Sequence, residues 1–199
     1  MSARLLVMQN ERLNDQDPVM LAQWTMRDGT QVLIRSIRPE DEPLMIAFHE
    51  GLSGRSVYMR YFESFSFKAR TAHERLLRIC FANPHQETVL VAIHTDQHIG
   101  AQRIVAVGRL NKLSDGKTAE LAALVSDDYQ GRGLGTELVK RLLQAAPSQG
   151  IQRITAEMLR DNTLMQSIAK KLGFRLYQLK DPHSVRAALD LQPPRCTPS

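Results

Sequence analysis

The spacing of apolar and polar positions changes period several times along this chain. Residues 31–38 (QVLIRSIR) are rich in branched apolar side chains and predict a strand. Asp28-Gly29, just upstream, lies between extended segments and marks a hairpin-type turn. Pro39 followed by Glu40, Asp41 and Glu42 is a helix start, with proline in the first turn and acids near the positive end of the dipole. That helix is predicted to run to about residue 52. From 53 to 82 helical spacing comes in pieces, clearest in HERLLRICF. The runs TVLVAIH (88–94), RIVAVGRL (103–110) and TAELAALVS (118–126) predict strands, with Asp115-Gly116 turning between the last two. Helical spacing returns at Leu134, Leu138, Leu142 and Leu143 and predicts a helix over 134–146, which Pro147 and Gly150 end. A strand over 152–159, a helix over 162–172 capped by Gly173, and strands over 174–179 and 185–191 complete the pattern.

Helices inserted between strands of one sheet describe an α+β (mixed α/β) chain rather than a helical bundle or a β-sandwich. There is no internal repeat and no sign of a second domain. Residues 1–23, interrupted by Asn14, Asp15, Asp17 and Pro18, are expected to form a loosely ordered extension. Residues 24–192 are expected to form the domain, and 193–199 a disordered tail.

Composition narrows the classes. The 199 residues are 43% hydrophobic and 24% charged, ordinary for one globular domain with a sizeable core. No stretch is long and apolar enough to span a bilayer, and the N-terminus lacks the apolar core of a secretion signal. The expectation is a cytoplasmic protein with no membrane partner. Two cysteines are too few for a disulfide framework. Cys80 falls on helical apolar spacing and is expected to be buried, and Cys196 is expected to be exposed in the tail. No Cys/His cluster has metal-ligand spacing, so no metal is expected. The net charge of +5 suits an anionic ligand. The basic residues are scattered rather than gathered in a block with aromatics, so a phosphate-bearing cofactor is expected and nucleic acid is not.

The chemistry concentrates in LVSDDYQGRGLGTEL (124–138). A predicted strand runs into Gly131, Gly133 and Gly135, and a predicted helix follows. Glycines allow a sharp turn and close approach of backbone to ligand. The first amides of the helix have no intrahelical acceptor and, with the helix dipole, form an anion site suited to a pyrophosphate. Arg132 adds positive charge. The Gly-x-Gly-x-Gly spacing is not the Gly-x-Gly-x-x-Gly of dinucleotide folds, and no Gly-Lys-Ser/Thr follows as in a nucleoside-triphosphate loop.

Gln130-Gly131-Arg132-Gly133-Leu134-Gly135 resembles the Gln/Arg-x-x-Gly-x-Gly/Ala motif of the GNAT acyltransferase superfamily. Asn162 and the later Lys-Leu-Gly173-Phe174 resemble the second half of that family's cofactor site. A narrower similarity covers roughly 24–191. IRSIRPEDEPL (34–44), LSGRSVYMRYF (52–62) and AKKLGF (169–174) resemble the acetyltransferase domain of bacterial Pat-type protein lysine acetyltransferases. Many of those also carry a large acyl-CoA-synthetase-like domain, which these 199 residues do not include.

The resemblance implies a GNAT fold: a central, mostly antiparallel mixed sheet with splayed strands and helices on both faces. It implies acetyl-CoA as cofactor and direct attack on it by a neutral amine in a ternary complex. Glu120, in the Ala-Glu-hydrophobe stretch of strand 118–126, is then the candidate base. Alternation places Glu120 on the side of Ala122 and Leu124. Glu157 is the reserve candidate. Leu124, Val125 and Ser126 are expected along the thioester and pantetheine arm. Gln130, Gly131, Arg132, Gly133, Leu134, Gly135 and Thr136 are expected around the pyrophosphate, and Asn162 and Met165 against the cofactor's amide arm. Asn162 is also a good helix N-cap, as is Asp161. Many superfamily members carry a tyrosine where this chain has Ala169, to protonate the departing thiolate, and the Pat-type branch has small residues there. Tyr58, Arg60, Tyr61 and Phe62 are expected either to flank the acceptor entrance or to pack a helix. The implied partner is a protein with an exposed lysine, for instance an acyl-CoA synthetase, with the enzyme a monomer or homodimer. A small-amine acetyltransferase and a non-catalytic acyl-CoA sensor remain alternatives.

Overall fold

In the computed structural model residues 21–63 and 65–191 are described, so the expected tail with Cys196 and most of the expected extension lie outside the described residues. The strands are β1 (Leu21–Thr25), β2 (Gln31–Ser36), β3 (Glu87–Thr95), β4 (Gln102–Lys112), β5 (Thr118–Val125), β6 (Arg153–Leu159), β7 (Arg175–Gln178) and β8 (Ser184–Asp190). They form one sheet in the order β1-β2-β3-β4-β5-β6-β8-β7. Every neighbouring pair is antiparallel except β5–β6. The helices are α1 (Glu42–Glu50), α2 (Gly54–Tyr61), α3 (Phe67–Arg70), α4 (His73–Cys80), α5 (Leu134–Ala145) and α6 (Thr163–Lys171). This is the mixed, mostly antiparallel sheet with helices on both faces that the resemblance implies.

Strand alternation builds two cores. Val89, Val91 and Ile93 face a cluster with Met45 and Phe48 of α1, Val57 of α2, and Leu76 and Ile79 of α4. Leu90 and Ala92, between them in sequence, face Leu134, Leu138 and Leu142 of α5 and Ala169 of α6 on the opposite side. The alternation slips once. Ala92 pairs with Ala106 but Ile93 pairs with Ile104, leaving Val105 as the extra residue of a β-bulge. Val105 and Ala106 therefore both join the α5 core.

Two boundaries differ from expectation for local reasons. The helix expected from Pro39 begins as a 3₁₀ turn, Pro39–Asp41, before α1. Asp41 accepts from the Arg38 N–H at 2.8 Å and from both terminal nitrogens of Arg35 at 2.7 Å. This fork-to-fork ion pair is buried, with Arg35 6% and Asp41 3% exposed. It ends β2 at Ser36 and holds the chain in the tighter turn. The second difference is β1, which starts at Leu21, inside the stretch expected to be loose. It pairs with β2 from Leu21↔Arg35 to Thr25↔Gln31. As an edge strand it is mostly half-buried, so its sequence carries little period-2 signal. The Asp28-Gly29 turn lies between these strands as expected, closed by Met26 N–H to the Thr30 carbonyl at 2.8 Å, with Gly29 at φ +87°.

Helix α5 presses directly on β4 at Gly108. A Cβ there would lie 2.9 Å from Leu138 Cγ and 2.9 Å from Leu142 Cδ1. Gly108→Val is therefore expected to destabilise by about 1–3 kcal/mol, as overpacked cores do, read as a lower denaturation midpoint.

His49 of α1 is 2% exposed, and burial together with the charges of Arg75, Arg70 and Arg60 pushes its pKa down from 6.5 to about 4. Between those values the unfolded chain binds a proton that the folded chain refuses. Stability contributed by neutral His49 is thus complete above pH ~6.5 and lost as pH falls towards ~4, by roughly 3 kcal/mol in total. Denaturant titrations at pH 4.5 and 7 should show that extra loss in the wild type and not in His49→Gln.

Candidate active site

Strands β5 and β6 run in parallel over only three pairs, Thr118↔Arg153, Ala119↔Ile154 and Glu120↔Thr155. Beyond Glu120, β5 keeps its partner β4 as far as Val125, and β6 keeps β8 as far as Leu159. The sheet therefore splits between residues 121–125 and 156–159. A cleft of about 620 Å³ opens in this region, with Leu124 and Val125 on one side and Asn162, Met165 and Ile168 on the other.

Main-chain direction decides which groups enter the split. The Ser126 N–H donates to the Val105 carbonyl of the bulge at 2.9 Å, so Ser126 turns its backbone towards β4. By strand alternation Val125 and Ala123 turn theirs into the cleft. The Val125 carbonyl accepts from Gln130 Nε2 at 3.0 Å. Of the expected backbone pair, then, Val125 faces the cleft and Ser126 does not.

After β5 the chain makes a 3₁₀ turn, Asp127–Tyr129, and passes through the three glycines into α5. Gly131 has φ +73° and Gly133 has φ +92°, a region that costs other residues about 1–2 kcal/mol. Gly133 is the N-cap of α5 and no side chain caps the helix, so its first amides are left to a ligand. A Cβ at Gly135 would lie 3.4 Å from Ile168 Cδ1 and 3.5 Å from Val125 Cγ2 and would narrow the cleft. Gln130, Gly131, Gly133, Gly135 and Thr136 line the cleft. Leu134 is 1% exposed with its side chain in the core, so only its backbone is on offer. Arg132 is absent from the lining: its guanidinium binds Asp28 of the β1–β2 turn at 2.7 Å and stacks over Tyr129. Arg27, from that same turn, lines the cleft instead, joined to the loop by its N–H to the Arg132 carbonyl at 3.3 Å. Sequence reading missed Arg27, because the hairpin that delivers it lies far away in the chain.

Asn162 is the N-cap of α6, its Oδ1 accepting from the Met165 N–H at 3.1 Å, and it lines the cleft as well. Asp161 does not take the capping role. Ala169 is 2% exposed in the core. Glu157 is ion-paired with Arg186 across β6–β8 and is not among the cleft residues. Glu120 is exposed, at the head of the split and opposite Asn111 of β4, and like Glu157 it is not among the residues that line the cleft. It faces the α2 side, and its charge is felt by Arg60. Of the α2 group, Arg60 lines the cleft, and Tyr61 lines a small side pocket beside it. Tyr58 and Phe62 are 47% and 38% exposed and belong to neither lining.

A polar network ties α2 to the glycine loop. Asp127 accepts from the Ser53 N–H at 3.0 Å, the Ser53 hydroxyl at 2.7 Å and the Ser56 hydroxyl at 2.8 Å. Gln130 Nε2 donates to the Ser56 hydroxyl at 3.0 Å. Burial raises the Asp127 pKa, but these donors outweigh it and hold the carboxyl below its usual value. Ser53, Ser56 and Asp127 were not picked out from sequence, since their partnership spans more than seventy positions.

A split parallel pair, a glycine loop and an uncapped helix together define a class, and the chain belongs to the acetyltransferase (GNAT) domain family, whose model matches residues 31–175. Within it the chain is 30% identical over 169 residues to acetyltransferase Pat of Mycolicibacterium smegmatis, covering 84% of this chain and 48% of that protein. The chain thus matches about half the length of that relative. It is 28% identical over 151 residues to acetyltransferase PA5475 of Pseudomonas aeruginosa, covering 75% of this chain and 78% of that one. The crystal structure of the GNAT domain of S. lividans PAT superposes with a TM-score of 0.75 at 26% identity, covering 86% of this chain and 97% of that chain.

The residues present suit acetyl-CoA, the cofactor of this family: uncapped amides and Arg27 for a pyrophosphate, and a split backbone for an amide arm. The cap role of Asn162 makes a separable prediction. Asn162→Ala should lose about 1 kcal/mol of stability together with coenzyme A affinity. Asn162→Asp, which keeps the cap but removes the amide N–H₂, should retain stability and lose affinity. Calorimetric titration alongside thermal denaturation reads both.

Proposed function

We propose that this chain acetylates a lysine side-chain amine on a protein substrate, in a ternary complex with acetyl-CoA. The observation that carries the reading is the position of Glu120, the last residue of β5 paired with β6. Its exposed carboxylate stands where the sheet divides, on the side of α2. The matches to Pat proteins support a protein acceptor, and so does the cleft bordered by Arg55, Met59 and Arg60 of α2.

In this reading the backbone amides of Gly131 to Thr136 and the Arg27 guanidinium hold the pyrophosphate. Val125, Asn162 and Met165 hold the arm. When bound, acetyl-CoA supplies an acetyl group activated as a thioester. A lysine amine is protonated at neutral pH, with a free pKa of ~10.4, and has no lone pair until that proton leaves. Glu120 accepts the proton, directly or through one water. The Val125 N–H, turned into the cleft, stabilises negative charge that develops on the carbonyl oxygen under attack. Ala169 has no proton to give, so the departing thiolate takes its proton from water.

The test is thiol release with acetyl-CoA, using host proteins and a panel of small amines as parallel acceptors and mass spectrometry to locate the label. Labelled lysines on discrete proteins support the reading, and turnover of small amines alone overturns the protein acceptor. Glu120→Gln should lower kcat/KM by about 10²–10⁴ at pH 7. The deficit should shrink as pH rises towards ~10, where the amine loses its proton unaided. A deficit that stays constant with pH would exclude Glu120 as the base.

A further inference from the structure

Beside the main cleft, on the α1/α2 face of the sheet, lies a side pocket of about 20 Å³, large enough for one water or one carboxylate oxygen. Arg60 and Leu124 line both the pocket and the cleft, on the side of β5 that carries Glu120. The pocket walls are unusually cationic. Arg60, Arg75 and Arg109 all line it. Arg109 is spoken for, its Nε donating to Glu87 at 2.6 Å. Arg75 stacks on the Tyr61 and Phe65 rings at 5.5 and 5.4 Å and donates from Nη2 to the Tyr61 hydroxyl at 3.3 Å. Its Nη1 is buried with no acceptor. Arg60 lies 5.1 Å over the Tyr61 ring. Among the described residues no carboxylate forms an ion pair with Arg60 or Arg75. Glu120 acts on Arg60 through space, without an ion-pair contact.

A second wall carries a second orphan. His49, 2% exposed, lines the same pocket with its Nδ1 buried and unpartnered. Arg60 and Arg75, two guanidinium groups without counter-ions among the described residues, thus line one small space, with the unmatched His49 Nδ1 and Arg75 Nη1 buried beside it. Leaving buried nitrogens unpaired is costly, and repulsion between the two half-buried cations adds to that cost. One water in the pocket would leave both charges unanswered. A carboxylate would answer both, because guanidinium pairs with it in charge and in planar geometry.

We infer that Arg60 and Arg75 form a carboxylate-binding subsite for the acceptor, so that the enzyme selects amines with an acidic group nearby. This rests on the proposed reading that the amine enters on the Glu120 side. On a protein the acidic group is an Asp or Glu close to the target lysine. On a small amine it is the molecule's own carboxylate.

Paired acceptors that differ only in that charge provide the test. One set is peptides with Glu or Gln placed one to three residues from a single lysine, and the other is free lysine and lysine amide. Initial rates give kcat and KM for each with wild type, Arg60→Gln, Arg75→Gln and Arg60→Lys, circular dichroism verifying the fold of each variant. The subsite predicts at least tenfold higher kcat/KM for the acidic member, mostly through KM. The ratio should fall below about twofold in Arg60→Gln and Arg75→Gln and be partly restored in Arg60→Lys. Because the wild-type comparison needs no variant, misfolding of the variants leaves it decisive. Preference among the peptides supports both the subsite and the protein acceptor. Preference among free amines, with no peptide labelled, supports the subsite and overturns the protein acceptor. Equal rates within every pair, or a preference that survives both Gln substitutions, overturns the subsite.

Discussion

Where two parallel strands stop pairing, the backbone groups of both are left to find other partners, and this structure is arranged around that break. β5 and β6 share three residue pairs and then separate, while each keeps its outer neighbour. The β4 bulge accompanies the separation. Val105, the extra residue, receives the Ser126 N–H, which fixes the end of β5 against β4 rather than letting it follow β6. A buried backbone amide or carbonyl without a partner costs free energy comparable to a lost hydrogen bond. The split is therefore tolerable only because it is open to solvent and ligand. Val125 shows both sides of this: its carbonyl takes the Gln130 amide, and its N–H is directed into the cleft.

The elements around the split belong to distant parts of the chain, and each is anchored by polar contacts rather than by packing alone. The β1–β2 turn reaches the glycine loop through Asp28–Arg132 and supplies Arg27. The N-terminus of α2 is held by Asp127, which accepts three hydrogen bonds from Ser53 and Ser56. Gln130 bonds both Ser56 and Val125, so a residue of the glycine loop touches α2, which borders the cleft. The two halves of the site cannot move independently without breaking these bonds. That coupling makes the glycine loop and the N-terminus of α2 one mechanical unit across the cleft.

Much of this was legible in the sequence, and the failures follow a rule. Strands β3 to β6 and helices α5 and α6 were foreseen to within a residue or two, because each presents a regular period over seven or more positions. The glycine loop was legible because its pattern is contiguous: three closely spaced glycines at the start of a helix. What stayed hidden depends on contacts across the fold. Arg132 reads as a phosphate ligand in sequence, yet Asp28 takes its guanidinium, and the cation offered to the cleft is Arg27. Ser126 reads as equivalent to Val125, yet a bulge in another strand decides which of them faces the ligand. β1 was read as extension from Leu21 to Gln23 because a five-residue edge strand with no fully buried position has almost no pattern to read.

The two faces of the sheet also carry different kinds of strain. On the α5 face the packing is dry and tight, to the point that Gly108 has no room for a methyl group. On the α1/α2 face the apolar cluster of Met45, Phe48, Ile79 and Val107 gives way, towards Leu124, to arginines and a neutral histidine. A core optimised only for stability would fill that volume with aliphatic side chains, since exchanging buried charges for well-packed apolar groups is often neutral or stabilising by about 1–4 kcal/mol. Here burial lowers the Arg60 pKa and takes His49 to about 4, both signs that the charged forms are disfavoured where they stand. The destabilised groups lie along the side of β5 that carries Glu120, and the well-packed ones lie along the other. The groups whose charged forms burial disfavours thus stand around the side pocket, which shares Arg60 and Leu124 with the cleft.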